Sequence, residues 1–303
     1  MTKIFVAGAT GYIGKNVVKS ALEQNFKVVI ATRKVSADFD LKDQNLKVVE
    51  ISKSDNSWIE NLQGIDVFIS CLASRSGEPK DARSVDFKLN KLLLEKAKRI
   101  KCSQFILLSA ICVQKPRLAF QFEKLAFEKE LKKSGLNFSI IRPTAYFKSL
   151  SGQIENIKKG KPYVYFGNGE LTQCNPISEK DLSLFILSCV TDKNKWRKIL
   201  PIGGPNQSLT PKNVGEMLFK VFEVTPKYKS FPTKLLDAIR LLLLIAAPFS
   251  SWAKSKSELI KIAKYYATES MLIWDENKLC YDPFKTPSTG EDTLEQYFHA
   301  IKK

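Results

Sequence analysis

Lys3-Ile4-Phe5-Val6-Ala7-Gly8-Ala9-Thr10-Gly11-Tyr12-Ile13-Gly14 opens the chain and decides how the rest of it is read. The apolar run from Ile4 to Ala7 has the length and unbroken character of a strand buried on both faces of a parallel sheet. Glycines follow at 8, 11 and 14, and from Lys15 to Gln24 the apolar residues Val17, Val18, Ala21 and Leu22 recur at helical spacing. Strand, glycine turn and helix, in that order, are the setting in which a glycine triplet cradles a dinucleotide. Gly8 permits a tight turn, Gly11 lets backbone approach a pyrophosphate, and Gly14 lets helix and strand pack closely. Ala9, Thr10, Tyr12 and Ile13 supply the backbone between them. The N–H groups at the helix start, with the positive end of its dipole, then face the phosphates. The plain alternative for the same residues is a helix-capping loop that binds nothing.

The second strand is expected over Phe26 to Thr32 and ends in Thr32-Arg33-Lys34. An acid after this strand would bond the ribose 2′-hydroxyl of NAD, whereas a base accommodates a 2′-phosphate. Arg33 and Lys34 therefore predict NADPH as the cofactor, and Asp38 and Asp40 come too late to be the acid. Further strands are expected over Leu46 to Ile51, Val67 to Ser70, Phe105 to Ser109 and Asn137 to Ile141. Helices are expected over Asp55 to Leu62 and Asp81 to Ile100. Strands alternating with crossover-sized helices predict an α/β fold, a doubly wound parallel sheet of Rossmann type. The exit of the fourth strand, Cys71-Leu72-Ala73, would then lie beside the cofactor at the carboxyl edge of the sheet.

Later elements are expected at Lys161 to Phe166, after a capping Ser178, at Ile199 to Ile202, and from Thr210-Pro211 to Phe222. From Phe231 the pattern becomes helical, over Lys234 to Ala247 and Ser255 to Ser270. This divides the chain into a dinucleotide-binding domain, 1–230, and a smaller, mostly helical substrate lobe, 231–303. Leu235 to Phe249 is apolar enough to meet a lipid interface, but an apolar run of this length is more often a helix in a core or over a cleft, which is the expectation here.

The chain carries 48 Lys and Arg against 31 Asp and Glu, a net charge of +17. Such a balance suits an anionic ligand, an acidic membrane surface or simply solubility. No zinc-finger, RNA-binding or compact Arg-rich pattern accompanies it, so nucleic acid is not an expected partner. Six cysteines are scattered, with no C-x-x-C pair, which fits a reducing compartment. The single histidine, His299, argues against a histidine metal site or a Ser-His-Asp triad. No signal or transit peptide is read ahead of the first strand, and the location expected is cytoplasmic.

The G-x-x-G-x-x-G spacing resembles that of the extended and atypical short-chain dehydrogenase/reductases. Their usual catalytic set is a Ser followed by Tyr-x-x-x-Lys on a helix, where four residues place Tyr and Lys on one face. Ser109 is present, but the helix reads Phe120-Gln121-Phe122-Glu123-Lys124. The lysine remains and the phenol is gone, so the ordinary carbonyl chemistry is in doubt while cofactor binding is not. An amphipathic helix without a role is the alternative for Phe120 and Lys124. Pro143, in Arg142-Pro143-Thr144-Ala145-Tyr146, resembles the family's turn near the nicotinamide carboxamide.

Longer segments carry a more specific resemblance. They are SCLASR (70–75), LLSAICVQKP (107–116), FQFEKLAFEKEL (120–131), RPTAYFKSLSGQ (142–153), GKPYVYFGNGEL (160–171), PISEKDL (176–182), LPIGGPNQSLTP (200–211), YYATESMLI (265–273) and KTPSTGEDTLE (285–295). With the glycine loop they resemble the NADPH-dependent divinyl chlorophyllide a 8-vinyl reductases over nearly the whole chain. The resemblance implies reduction of the 8-vinyl group of a divinyl chlorophyll precursor to ethyl, with NADPH as hydride donor. It implies that Lys124 orients the ribose or passes a proton, and that Tyr146 is the alternative proton donor. Negative charge delocalises into the macrocycle, so no alkoxide forms and no tyrosine is needed to stabilise one. Two other readings stay open: a non-catalytic NADP(H)-binding regulator or photosynthetic-complex assembly factor of the same fold, and a reductase of another conjugated double bond.

Overall fold

The computed structural model describes residues 1–33, 39, 42–51, 56–205 and 207–302. It begins with β1 (Lys3–Ala7), α1 (Tyr12–Glu23), β2 (Lys27–Thr32), β3 (Leu46–Glu50) and β4 (Val67–Ser70). α2 (Pro79–Ala82) and α3 (Asn90–Arg99) are joined by a π-helical stretch, Arg83–Leu89, into one continuous helix. Then come β5 (Gln104–Leu108), α4 (Ala119–Lys133), β6 (Asn137–Pro143), the short helices α5 (Phe147–Leu150) and α6 (Ile154–Lys158), and β7 (Tyr163–Phe166). α7 (Glu179–Thr191), β8 (Lys198–Ile202), α8 (Pro211–Phe222) and β9 (Tyr228–Phe231) follow. The chain closes with α9 (Lys234–Ala246), α10 (Ser251–Thr268), β10 (Ile273–Asp275), β11 (Cys280–Asp282) and α11 (Leu294–Lys302).

The main sheet has the order β3-β2-β1-β4-β5-β6-β8 and is parallel throughout. Strand order reverses between β1 and β4, so the crevice above their carboxyl ends is where a ligand site belongs. β1 shows why its run is apolar without alternation. Ile4 and Val6 pack toward α1 and α7 on one face, and Phe5 and Ala7 pack with Phe68, Leu93, Phe105 and Phe127 on the other. Ile4, Phe5 and Val6 have no exposed surface, and each such side chain contributes about 2 kcal/mol by leaving water.

β7 and β9 pair in parallel, and β10 and β11 form an antiparallel hairpin. α8 and α11 share a second core built from Val214, Leu218, Leu294 and Phe298. α7 starts where Ser178 predicted it, with Asp181 N–H donating to Ser178 Oγ at 2.9 Å.

Two expectations are corrected. The helix expected over Asp81 to Ile100 is present, but its middle winds as π-helix, which re-aims Asp86 into the interior. The run from Leu235 to Phe249 is neither core nor cleft cover. Leu236 is the buried residue of α9, whereas Leu241, Leu242 and Ile245 are 62%, 69% and 66% exposed. The run is apolar around more of the helix than the one stripe that packs on α10.

Candidate active site

The turn between β1 and α1 is built for close approach. Gly8 has φ +74°, and a Cβ there would lie 2.8 Å from the carbonyl oxygen of Cys71, the first residue past β4. A Cβ on Gly14 would lie 2.1 Å from the Gly8 carbonyl oxygen, so α1 sits directly on the turn. Gly11 N–H donates to Gly8 O at 2.9 Å. Gly11 precedes α1 in extended conformation, with no side-chain cap and no acid in the first helical turn. That leaves first-turn N–H groups and the dipole for an anion. Thr10 and Gly11 are exposed, while Ala9 and Ile13 are buried and contribute backbone alone. Arg33 is exposed at the end of β2, and Lys34 lies outside the described residues.

Tyr12 does not point free into the crevice. Its hydroxyl donates to the Glu179 carboxylate, its ring lies 6.3 Å from that of Tyr146, and Lys148 Nζ stands 5.1 Å from its centroid. Burial, together with Glu179, holds the Tyr12 phenol above its ordinary pKa.

Lys124, on α4, is nearly buried and lies 3.0 Å from Asp86 Oδ1, at ion-pair distance though not in hydrogen-bond alignment. The other Asp86 oxygen accepts Ser74 N–H at 3.3 Å. Asn90 steadies the π-helical turn by donating to the carbonyls of Val85 and Asp86, at 3.3 and 3.1 Å, while accepting from Ser70 Oγ at 2.6 Å. A π-turn, a loop from β4 and α4 are thus joined around one buried charge pair. Lys124's charge opposes the burial that pushes the Cys71 thiol up to about 12, and it acts on Cys112 in the same sense. The ammonium is therefore near enough to the exits of β4 and β5 to act on both thiols. Phe120 fills the family's tyrosine position with an apolar ring that packs near Ile262 and Gly77.

Ser109 is committed elsewhere. Its hydroxyl donates to Glu128 Oε1 at 2.6 Å, and Arg142 closes on the same carboxylate through Nε at 3.1 Å and a terminal nitrogen at 2.5 Å. Glu128 is fully buried, so this network ties α4 to β5 and β6 below the site.

Beyond the carboxyl ends of β5 and β6 lies a cavity of about 500 Å³, walled by Cys112, Pro143, Tyr146, Leu150, Tyr266 and Met271 among others. Tyr265 donates to the carbonyls of Cys112, at 2.9 Å, and Lys115, at 3.1 Å, pinning α10 to the turn after β5. The next residue, Tyr266, is 44% exposed and lines the cavity. Burial holds the phenols of Tyr146 and Tyr266 well above their ordinary pKa, so both keep their protons at neutral pH. An apolar chamber with protonated phenols, Tyr163 besides Tyr146 and Tyr266, beside a dinucleotide cradle suits an apolar substrate that receives a hydride and a proton.

The sequence model of an NAD(P)H-binding family matches residues 8–193. The chloroplastic divinyl chlorophyllide a 8-vinyl-reductase of Arabidopsis thaliana is 46% identical, over 98% of this chain and 76% of its own length. The chain belongs to the divinyl chlorophyllide a 8-vinyl-reductase family, within the NAD(P)H-binding proteins. The photosystem II assembly factor Ycf39 of Cyanophora paradoxa is 25% identical, over 99% of this chain and 93% of its own. Among solved structures, the NADPH-dependent quinone oxidoreductase of Escherichia coli has the same fold. Its TM-score is 0.71 at 16% identity, covering 99% of this chain and all of its own.

For this member of the family, the structure places Cys112, Pro143, Tyr146 and Tyr266 in the cavity wall, Cys71, Leu72 and Ala73 just past the carboxyl end of β4, and Lys124 on α4 against Asp86. It does not bring Ser109 into that group. Nothing in the sequence marks Asp86 or Tyr266. Asp86 reads there as the solvated face of a helix, and Tyr266 is one of two adjacent tyrosines with nothing to say which is buried.

Proposed function

We propose that this chain reduces the 8-vinyl group of divinyl chlorophyllide a, or of a closely related divinyl chlorophyll precursor, to an ethyl group with NADPH. The observation that carries the reading is likeness to reductases of that name along 98% of the chain, including the part that supplies α10 to the cavity wall. The glycine turn fits the cofactor: a cradle with no room for a Cβ at Gly8 or Gly14, closed by an uncapped helix start. When bound there, NADPH supplies a hydride.

The remaining roles belong to this chain's residues. Gly8 to Gly14 hold the pyrophosphate through backbone, and Arg33 and Lys34 meet the 2′-phosphate. Leu72, Ala73 and Pro143 flank the nicotinamide end. Lys124, fixed by Asp86, orients the ribose. Tyr146 delivers the proton to the second vinyl carbon, with Tyr266 facing the same cavity. Ser109 acts at one remove, holding Glu128 and Arg142 under the site. Residues 231–303 serve as the substrate lobe. In this reading the reaction takes place in the cytoplasm, with peripheral contact to a photosynthetic membrane as the alternative. Among the described residues no helix is long and apolar enough to cross a membrane.

Purified protein, NADPH and divinyl chlorophyllide a mixed under air test the reading. A blue shift of the Soret band to the monovinyl pigment, without added iron–sulfur or flavin protein, is the expected result. Phe120 at the tyrosine position and the likeness to an assembly factor favour one other role, binding without turnover. Bound NADPH with no pigment shift would establish it instead.

The cofactor assignment has its own test. Arg33→Glu is expected to weaken NADPH binding about tenfold or more while leaving NADH binding nearly unchanged, the loss of one charge-assisted contact to phosphate. Fluorescence titration with both nucleotides measures it, and an unchanged preference would remove Arg33 from the 2′-phosphate site.

A further inference from the structure

α9 and α10 form an antiparallel hairpin, with Asp237 near the start of α9 paired to Lys264 near the end of α10. One face of α10 fixes the hairpin to the body. Ser255 Oγ donates to Glu78 at 2.5 Å there and Ile262 lies against Gly77, while Ala253 and Ser257 are buried on the other side of α10, the side that carries Lys264. The C-terminal half of α9, the connecting turn and the first turn of α10 carry Leu241, Leu242, Ile245, Phe249 and Trp252. These are 62%, 69%, 66%, 92% and 64% exposed. Leu241 and Ile245 lie one helical turn apart on α9, and Phe249 in the connecting turn and Trp252 in the first turn of α10 continue the exposed apolar residues around the tip of the hairpin.

Charge around the tip is one-sided. From residue 238 to residue 257 the chain has Arg240, Lys254 and Lys256 and no Asp or Glu. Lys254 and Lys256 are exposed, and Lys256 Nζ lies 6.0 Å from the Trp252 ring centroid. Large apolar side chains with a tryptophan at one end of the hairpin, bordered by cations and free of acids, suit the boundary between anionic headgroups and acyl chains. The 13 residues of α9 fall short of the ~20 that would span a bilayer, so the tip lies in a surface and does not cross it.

We propose that the tip of the α9–α10 hairpin docks this protein on an anionic lipid surface. Leu241, Leu242, Ile245, Phe249 and Trp252 enter the headgroup–acyl boundary, and Lys254 and Lys256 meet the lipid phosphates. α10 then runs from the lipid surface at Trp252 to the cavity wall at Tyr266, so the chamber stands one helix length from the membrane. The docking does not depend on the reductase reading.

Full-length protein is sedimented with vesicles of phosphatidylcholine, alone or mixed with phosphatidylglycerol, at low and high salt. The expected result is binding to the mixed vesicles that weakens with salt. The triple variant Leu242→Ser, Phe249→Ser, Trp252→Ser lowers partitioning at least about tenfold. Lys254→Gln with Lys256→Gln lowers it about fivefold per charge and removes the preference for phosphatidylglycerol. NADPH titration stays unchanged in both variants, which shows that they are folded. Wild-type protein that ignores both vesicle types, or a triple variant that binds as well as wild type, overturns the proposal. A wild-type dimer that the triple variant converts to monomer, with no vesicle binding by either, overturns it too and makes the tip a self-association surface.

Discussion

Lys124→Ala is expected to lower kcat about a hundredfold or more, because in the role proposed for it Lys124 orients the ribose, and misplaced reactants lose rate on that scale. The same substitution leaves Asp86 buried without its partner, which costs about 3 kcal/mol of stability. The two effects separate in the pair Lys124→Met, Asp86→Asn. Removing both charges relieves the unpaired carboxylate, so this protein regains most of the lost stability and none of the turnover. Urea midpoints and single-turnover rates on the three proteins check it. Turnover that returns with stability would assign Lys124 to the fold alone.

The second large effect falls on Gly14. Alanine there sets a methyl group 2.1 Å from the Gly8 carbonyl oxygen, and backbone at the carboxyl end of β1 cannot step aside as a flexible side chain can. α1 must lift from the turn, at a cost of about 3 kcal/mol. The first-turn N–H groups then move off the pyrophosphate position, so NADPH binding is lost with the packing. Calorimetric Tm and NADPH titration of Gly14→Ala measure both together. Gly11→Ala makes a softer comparison, since its Cβ would meet the Gly8 oxygen at 3.1 Å. It is expected to keep the fold and weaken the cofactor.

Much of the architecture was legible because parallel strands buried on both faces leave unbroken apolar runs. β1, β2, β4 and β5 lie within a residue of their expected bounds at each end. Helix starts were legible where a side chain makes the cap, as at Ser178 and Thr210. The β10–β11 hairpin, with three residues in each strand, left no period to read. The site was half legible. Glycine spacing and the position of Lys124 follow local rules, but its partner Asp86 turns inward through a π-helical stretch that has no compositional signature. Ser109 was read by analogy, and its hydroxyl is engaged by Glu128, a residue 19 positions away on α4. The exposed apolar part of α9 was misjudged because periodicity shows how apolar a helix face is and not whether anything covers it.

The reaction itself is tested by one turnover with NADPH carrying deuterium at the transferring C4 position, in ordinary water, with divinyl chlorophyllide a as acceptor. One deuterium in the new ethyl group, seen as a gain of one mass unit in the monovinyl product, is the result predicted. An unlabelled product, or unchanged pigment beside fully bound NADPH, would contradict hydride transfer at this site.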